Sequence, residues 1–478
     1  MTKASVVLLA VAGLTGCPDR SISKVDTDQK KVETKDIPVD INRDLDILFL
    51  IDKSPTMDDE QASLTANFPR FMQILSQIEG GLPNVHIGVI SQDIGAGGLT
   101  IPGGGCSGTG DNGNLLAQAR VPGCTAPNGN FISDIDNAGA RRKNYTGTLE
   151  ETFSCIATLG PNGCGFEQHL GSLTKALVGN PANAGFLRPN AFLAIIIISD
   201  EDDCTHSNPK IYDSSGAFVN ELGPFADFRC FEWGWECDQG TMGRDARTYT
   251  NCKPRNNSPY LKHPNELVQA IKDLKANPKN IIVSAIIGPS ALTDPQIVNT
   301  VVGINTAMSN TPVVEPSCNN GDQNAFPMPR IAHFAQQFPE RNTFHSLCDG
   351  NLGGALSDIA EKIRAVVGNP CFETDVDTTD NDPTNPGLQL TCTVSDVVAP
   401  GTNGAVETII PACKMADDDT PAGDAKQPCW YVKPDTIKCA AYPSQLTLAI
   451  HPEQRTTAPD THVIAQCVVN AADESMMN

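Results

Sequence analysis

Two unbroken apolar runs, each stopping on an acid, constrain this chain more than anything else in it. Ile47–Ile51 ends at Asp52, and Ala191–Ile198 leads through a serine to Asp200. Neither run alternates polar with apolar, and both are short, which marks strands buried on both faces. Such strands need covering layers above and below, so helices must flank the sheet. After Asp52 come Ser54 and Thr56 at alternate positions, in the run D-I-L-F-L-I-D-K-S-P-T-M-D-D-E-Q from Asp46 to Gln61. Open α/β sheets place ligand sites at the carboxyl ends of their strands. Carboxylate and hydroxyl oxygens gathered there suit a hard cation. The same residue types also suit a strand end followed by a helix N-cap.

Strand and helix signals alternate through the next three hundred or so residues. Asp59 to Ile78 sets Phe68, Phe71, Met72, Leu75 and Ile78 on one helical face, with Pro69 as a place to kink or break. Val85–Ile90 reads as a strand. Thr148–Leu159, Phe166–Val178, Leu267–Leu274, Ile331–Phe338 and Leu352–Val367 have helical spacing, and Asn280–Ile287 and Thr343–Leu347 read as strands. Residues 95–145 and 200–262 interrupt the pattern as insertions, the second carrying Cys204, Cys230, Cys237, Cys252, Trp233 and Trp235. The order predicts an α/β fold with a doubly wound, mostly parallel sheet. Gly103, Gly105 and Gly108 match G-x-G-x-x-G in form, but they lie well past a strand and inside a loop, a poor setting for a dinucleotide.

The D-x-S-x-T pattern at Asp52, Ser54 and Thr56 resembles the von Willebrand factor A family and its metal-ion-dependent adhesion site. The resemblance covers about residues 44–368, and F-H-S-L-C-D-G-N-L-G-G-A-L resembles the last strand and helix of secreted bacterial members. It implies a divalent cation, Mg²⁺, Ca²⁺ or Mn²⁺, on Asp52, Ser54, Thr56 and Asp200. Family members add a Thr from a loop before a helix. Here the segment is G-C-G-F-E-Q, and an ungapped alignment puts Glu167 at that place. Pointing inward, Glu167 makes a third carboxylate on the ion and fills the position that a partner's acid takes in adhesive members. Pointing outward, it is a first-turn helix residue favoured by the helix dipole. Asp59 and Glu60 match the spacing of a second, adjacent metal site in integrin β-type members, or form a solvated helix N-terminus. Glu201, Asp202 and Asp203 are either further ligands or a solvated acidic loop.

Fifty-six acids against 34 Lys and Arg leave a net charge of -22, which repels phosphate backbones and argues against nucleic-acid binding. Seventeen cysteines without a C-x-x-C pair point to disulfides in an oxidising compartment rather than to zinc. Residues 1–17 form a leader with Lys3 and an apolar stretch too short to span a membrane. Its end, Leu14-Thr15-Gly16-Cys17, resembles a bacterial lipobox, which implies cleavage before Cys17 and lipid on it; an ordinary secretory signal is the other reading. Sixteen cysteines then remain. Nearness in sequence suggests Cys106–Cys124, Cys155–Cys164, Cys230–Cys237, Cys392–Cys413 and Cys429–Cys439, leaving Cys318–Cys348, Cys204–Cys252 and Cys371–Cys467.

Residues 18–42 are charged and poor in large apolar side chains, which predicts a disordered tether. Residues 43–369 make the α/β domain. Residues 370–478 carry six cysteines and short β-type runs, a small disulfide-tied β domain or extension. At its start, Asp375, Asp377, Asp380 and Asp382 read as a calcium-like loop or, without an EF-hand's Gly and Glu, as a flexible acidic linker.

No G-x-S-x-G, H-E-x-x-H or P-loop occurs, so the expectation is a non-enzyme. The resemblances together imply a lipid-anchored cell-envelope protein, periplasmic or surface-facing, attached to the membrane through Cys17. Its metal-bearing face would meet a protein partner in adhesion or in assembly of an envelope complex. The competing reading is a structural envelope protein whose metal site is closed by Glu167 and only stabilises the fold.

Overall fold

The run ending at Asp52 forms the strand Asp44–Ile51, buried along nearly its whole length. It lies at the middle of a seven-stranded sheet in a computed structural model. That model describes residues 31–38, 43–78, 81–99, 106, 108–137, 140–213, 221–223, 228–241, 243–288, 298–305, 311–320, 323–368, 371–372, 374–398, 404–418, 420–422, 427–436, 439, 442–452 and 461–470. The chain divides into two units, Asp40–Asn369 and a second made of Met1–Val39 with Pro370–Asn478.

In the larger unit the strand order is Asn342–Ser346, Ile281–Ile287, Phe192–Ile198, Asp44–Ile51, Asn84–Ser91, Ile132–Asn137, Ala140–Lys143. The first five run parallel, and the last two close one edge as an antiparallel hairpin. The fold is thus mixed α/β with a mostly parallel sheet. The hairpin falls in the stretch 95–145 that reads as a plain insertion.

Alternate side chains of the central strands feed two separate cores. Ile47, Phe49, Ile196 and Ile198 pack with the helices Asp58–Leu75, Leu149–Ala157 and Gly353–Gly368. Leu48, Leu50, Ile195 and Ile197 pack with His169–Leu177, Asn265–Lys272 and Pro329–Gln336. Each such side chain, fully buried, contributes roughly 1.5–3 kcal/mol relative to exposure. Pro69 neither breaks nor ends the first helix; it sits on the exposed face. Leu149–Ala157 starts with a capping box, Thr148 and Glu151 satisfying each other's backbone N–H groups.

The insertion after Asp200 builds a small antiparallel sheet of its own. Its strands Trp235–Cys237, Gly240–Thr241 and Arg247–Pro254 join Val298–Asn305 and Thr311–Val314 from farther along the chain. The insertion therefore does not end at residue 262 as a self-contained excursion.

The second unit holds a four-stranded sheet in which Lys31–Pro38 pairs antiparallel with Thr461–Val469, followed by Cys392–Val398 and Val406–Ile410. Residues 31–38 are thus a strand, which corrects the tether expected over 18–42. Edge pairing runs through the backbone and tolerates charged residues, so composition alone missed it. The rest of that tether, residues 18–30 and 39–42, and the leader with Cys17 lie outside the described residues. The acids near 375–382 are not a loose linker. Asp377 and Asp382 take the backbone N–H groups of Thr379 and Thr384, Asp380 takes that of Asp382, and Asp375 receives the Asn470 amide.

All sixteen cysteines other than Cys17 are paired: 106–164, 124–155, 204–230, 237–252, 318–348, 371–439, 392–467 and 413–429. Only Cys318–Cys348 matches the pairing suggested by sequence. Cys106–Cys124, Cys155–Cys164, Cys230–Cys237, Cys392–Cys413, Cys429–Cys439, Cys204–Cys252 and Cys371–Cys467 are not formed. The reason is visible at Cys392, which stands directly opposite Cys467 on the neighbouring strand. Strand register, not distance along the chain, brings these sulfurs together.

Candidate functional site

The strand Asp44–Ile51 is continued to one side by Asn84–Ser91 and to the other by Phe192–Ile198, Ile281–Ile287 and Asn342–Ser346. The direction of winding therefore reverses between Asp44–Ile51 and Phe192–Ile198, and a crevice opens at such a reversal. Ile51 pairs with Ile198, and the Asp52 N–H donates to the Ile198 carbonyl at 3.0 Å. Asp52 and the segment Ser199–Asp200 consequently leave the sheet side by side.

Four of the residues marked by sequence meet here. The Ser54 N–H donates to Asp52 Oδ1 at 2.7 Å, turning the chain so that Ser54 and Thr56 face back toward the strand end. Ser54 Oγ and Thr56 Oγ1 are 3.1 Å apart, and Thr56 Oγ1 donates to Asp200 Oδ2 at 2.5 Å. Asp52, Ser54 and Asp200 are buried, whereas Thr56 is exposed, so this set of oxygens reaches the surface.

Asp200 Oδ1 is buried and has no hydrogen-bond partner among the described residues. Burial, reinforced by the nearby negative charge of Asp52, pushes the Asp200 carboxyl up to about 8. Two buried carboxyls beside two hydroxyls form an oxygen donor set of the kind hard cations take. The residues present fit a divalent ion on these grounds. Among the described residues, no three His, Cys, Asp or Glu side chains gather as a metal-holding group by themselves.

Glu167 is not a first-turn helix residue. The helix expected from Phe166 begins at His169, and Glu167 lies just before it, 2 % exposed. Its carbonyl accepts from the Cys204 N–H at 2.5 Å. Its charge is felt at Tyr212, whose phenol is pushed far up by burial first, then by Asp203 and Glu167. The loop carrying Glu167 packs on the strand ends: Gly163 N–H donates to the Lys53 carbonyl, and Gln168 N–H to that of Gln92.

Several contributors escaped sequence reading. Ser199 Oγ donates to Asp52 Oδ2 at 2.6 Å, and Gln61 Nε2 donates to the Asp52 carbonyl at 3.0 Å. His169 Nε2 stands 3.7 Å from Asp52 Oδ2, wholly buried. The polar Ser199 between an apolar strand and an acid was the available signal; Gln61 and His169 offered none. Glu60 is buried while Asp59 is exposed, so only Asp59 fits a solvated helix start. Burial raises the Glu60 carboxyl, and Asp59 and Asp52 raise it further.

Asp202 and Asp203 belong neither to a solvated loop nor to the oxygen cluster. Asp202 accepts the N–H groups of Arg330 and Ile331 at the start of the helix Pro329–Gln336, together with the Trp235 indole N–H. Asp203 accepts the Leu170 N–H at the start of His169–Leu177 and pairs with Arg330 at 2.9 Å. The two acids pin the N-termini of two helices, where the dipole favours negative charge.

No protein-family model matches the sequence, and no curated protein matches it. Bacterial pilus adhesins are among the solved structures to which it is similar. The adhesin SpaC from Lactobacillus rhamnosus GG, in an open conformation, aligns over 91% of this chain and 40% of its own, at 12% identity and a TM-score of 0.30. RrgA from Streptococcus pneumoniae aligns over 92% of this chain and 58% of its own, at 11% identity and a TM-score of 0.27. The chain thus spans about half the length of these adhesins, and likeness at this level assigns neither fold nor function. Among the described residues, no helix is long and apolar enough to cross a membrane.

Proposed function

We infer that the larger unit is a von Willebrand factor A-type module that binds a divalent cation and docks a protein partner, held at the cell envelope by lipid on Cys17. The observation that carries this reading is the linked set Asp52–Ser54–Thr56–Asp200 at the reversal point of the sheet. Asp52 and Asp200 would hold Mg²⁺, Ca²⁺ or Mn²⁺ together with the hydroxyls of Ser54 and Thr56. A bound cation supplies a positive centre for an anionic group of the partner. Ser199, Gln61 and the Ser54 N–H orient Asp52, and Thr56 orients Asp200 while remaining open to the surface. The absence of nucleophile motifs supports a binding rather than an enzymatic role.

A cation that binds only the folded state stabilises it by linkage, about 2.7 kcal/mol at one hundred times the dissociation constant. Melting of the wild type and Asp52→Ala is to be followed against Mg²⁺ and Mn²⁺. The wild type should gain stability and the variant should not; an equal gain in Asp52→Ala rejects the site.

A second reading rests on Glu167 being buried in the loop that packs on the strand ends: its carboxylate, not gathered with Asp52 and Asp200 in this structure, would move in to close the site on a bound ion, which is then structural. Glu167→Thr then weakens cation binding and opens a position for an added carboxylate such as acetate. Unchanged cation affinity in that variant rejects the closed site.

A further inference from the structure

We propose that the larger unit also carries a site for a small organic anion, a carboxylate or phosphate borne on an apolar body, in a cavity flanking the helix His169–Leu177. The cavity encloses about 430 Å³, within the range of small-molecule pockets. Two ammonium groups line it, Lys175 from the helix and Lys262 from the segment after the insertion, together with the His206 imidazole. None of the described residues lining it is Asp or Glu, in a chain where acids outnumber Lys and Arg 56 to 34.

The positive charge here is not neutralised from within. Lys175 Nζ donates to the neutral amide oxygen of Asn112 at 2.9 Å. Among the described residues, neither Lys175 nor Lys262 has a carboxylate at ion-pairing distance. The three groups also act on one another. Burial lowers the His206 pKa, and Lys262 and Lys175 lower it further; burial and then Lys262 lower that of Lys175. Like charges converging on a concave surface focus a field that an incoming anion relieves.

His206 is prepared for such a ligand by its neighbours. Gln168 Nε2 donates to the Gly95 carbonyl at 2.5 Å, so Gln168 Oε1 is left as the acceptor for His206 Nδ1 at 2.7 Å; Tyr212 Oη, 3.1 Å from the same nitrogen, gives its own proton to the Cys204 carbonyl and is likewise left to accept. The proton of the neutral ring therefore sits on Nδ1. His206 Nε2 faces Gly97, where a Cβ would stand 3.2 Å away, and Gly97 lines the cavity. Nε2 can take up a proton and donate it to an anion seated there. Ile94 and Leu267 supply apolar wall, which suits a ligand body larger than inorganic phosphate.

The proposal is independent of the cation reading, and the full chain is tested in metal-free buffer so that the two fail separately. Benzoate and phenyl phosphate are titrated calorimetrically, with benzamide as the neutral analogue and NaCl at matched ionic strength. Saturable binding of either anion and none of benzamide is expected; the preferred anion identifies carboxylate or phosphate as the recognised group. Lys175→Gln and Lys262→Gln should each weaken binding about tenfold, or about 1.4 kcal/mol. Neither lysine is fully buried, and the variants' melting temperatures check that they fold. In the wild type, the His206 ring resonances should titrate at higher pH with anion bound than without. Absence of saturable binding by both anions, or unchanged affinity when Lys175→Gln and Lys262→Gln are combined, overturns the proposal.

Discussion

Removing the Asp203 carboxylate should destabilise the larger unit severely, because it strands a buried guanidinium. Arg330 is 1 % exposed. Its Nη2 pairs with Asp203 Oδ2 at 2.9 Å, and among the described residues its guanidinium otherwise meets the carbonyls of Asp203 and Lys262. Breaking a buried pair from one side costs about 3–5 kcal/mol. The two carbonyls survive in Asp203→Ala and keep the loss near the lower end. The variant also frees the Leu170 N–H at a helix start, which Asp203 Oδ1 accepts at 3.0 Å, for about 1 kcal/mol more. The total is about 4 kcal/mol. With an unfolding entropy of ~2.1 cal/mol/K per residue, a unit of this size should melt about 6 °C lower. Differential scanning calorimetry of the oxidised protein measures this directly. Replacing both partners, in Asp203→Asn with Arg330→Met, should recover part of the loss, since the unpaired charge is then gone. A drop of less than about 2 °C in Asp203→Ala, or a double variant worse than the single ones combined, refutes the reasoning.

Three further outcomes follow from the same structure. His333 is pushed down to about 4 by burial, then by His263 and Arg330. The unfolded chain therefore binds the extra proton first: stability is full above the ordinary histidine value and falls as pH drops from about 6.5 toward 4, by at most about 3 kcal/mol. His333→Gln should flatten part of that slope in urea titrations across this pH range; an unchanged slope assigns it elsewhere. Peptide mapping without reductant should recover the crosslinked pairs Cys392–Cys467 and Cys371–Cys439, and replacing Cys392 and Cys467 by Ala should cost the second unit about 2–5 kcal/mol; recovery of Cys392–Cys413 instead contradicts the strand register. Cys17→Ser should move the protein from the membrane to the soluble fraction, because one or more acyl chains on that residue are its proposed anchor; continued sedimentation with membranes argues against lipidation there.

What the sequence by itself determined is local. Ile47–Ile51 and Ala191–Ile198 announce strands covered on both sides, because an apolar run without alternation leaves no face for water, and both form as central, parallel neighbours. Since strands end where apolar character ends, Asp52, Ser54, Thr56 and Asp200 were legible as residues leaving the sheet. Their convergence needs only that two neighbouring strands stop at the same level. The helices were legible from their spacing, though their starts were not: His169 rather than Phe166 begins its helix because Asp203, thirty-odd residues on, takes the Leu170 N–H.

Tertiary structure decided everything that depends on a partner distant in the chain. An acid's sequence neighbourhood is much the same whether it faces water or a buried N–H. Asp59 is solvated and Glu60 beside it is buried; Asp202 and Asp203 close helix ends rather than join the strand-end cluster. Lys31–Pro38 becomes a strand because Thr461–Val469 offers it an edge. Seven of the eight disulfides join cysteines other than those suggested by proximity in sequence. A disulfide requires two sulfurs at bonding distance in the folded chain, and strand register sets that distance after the chain has turned back on itself.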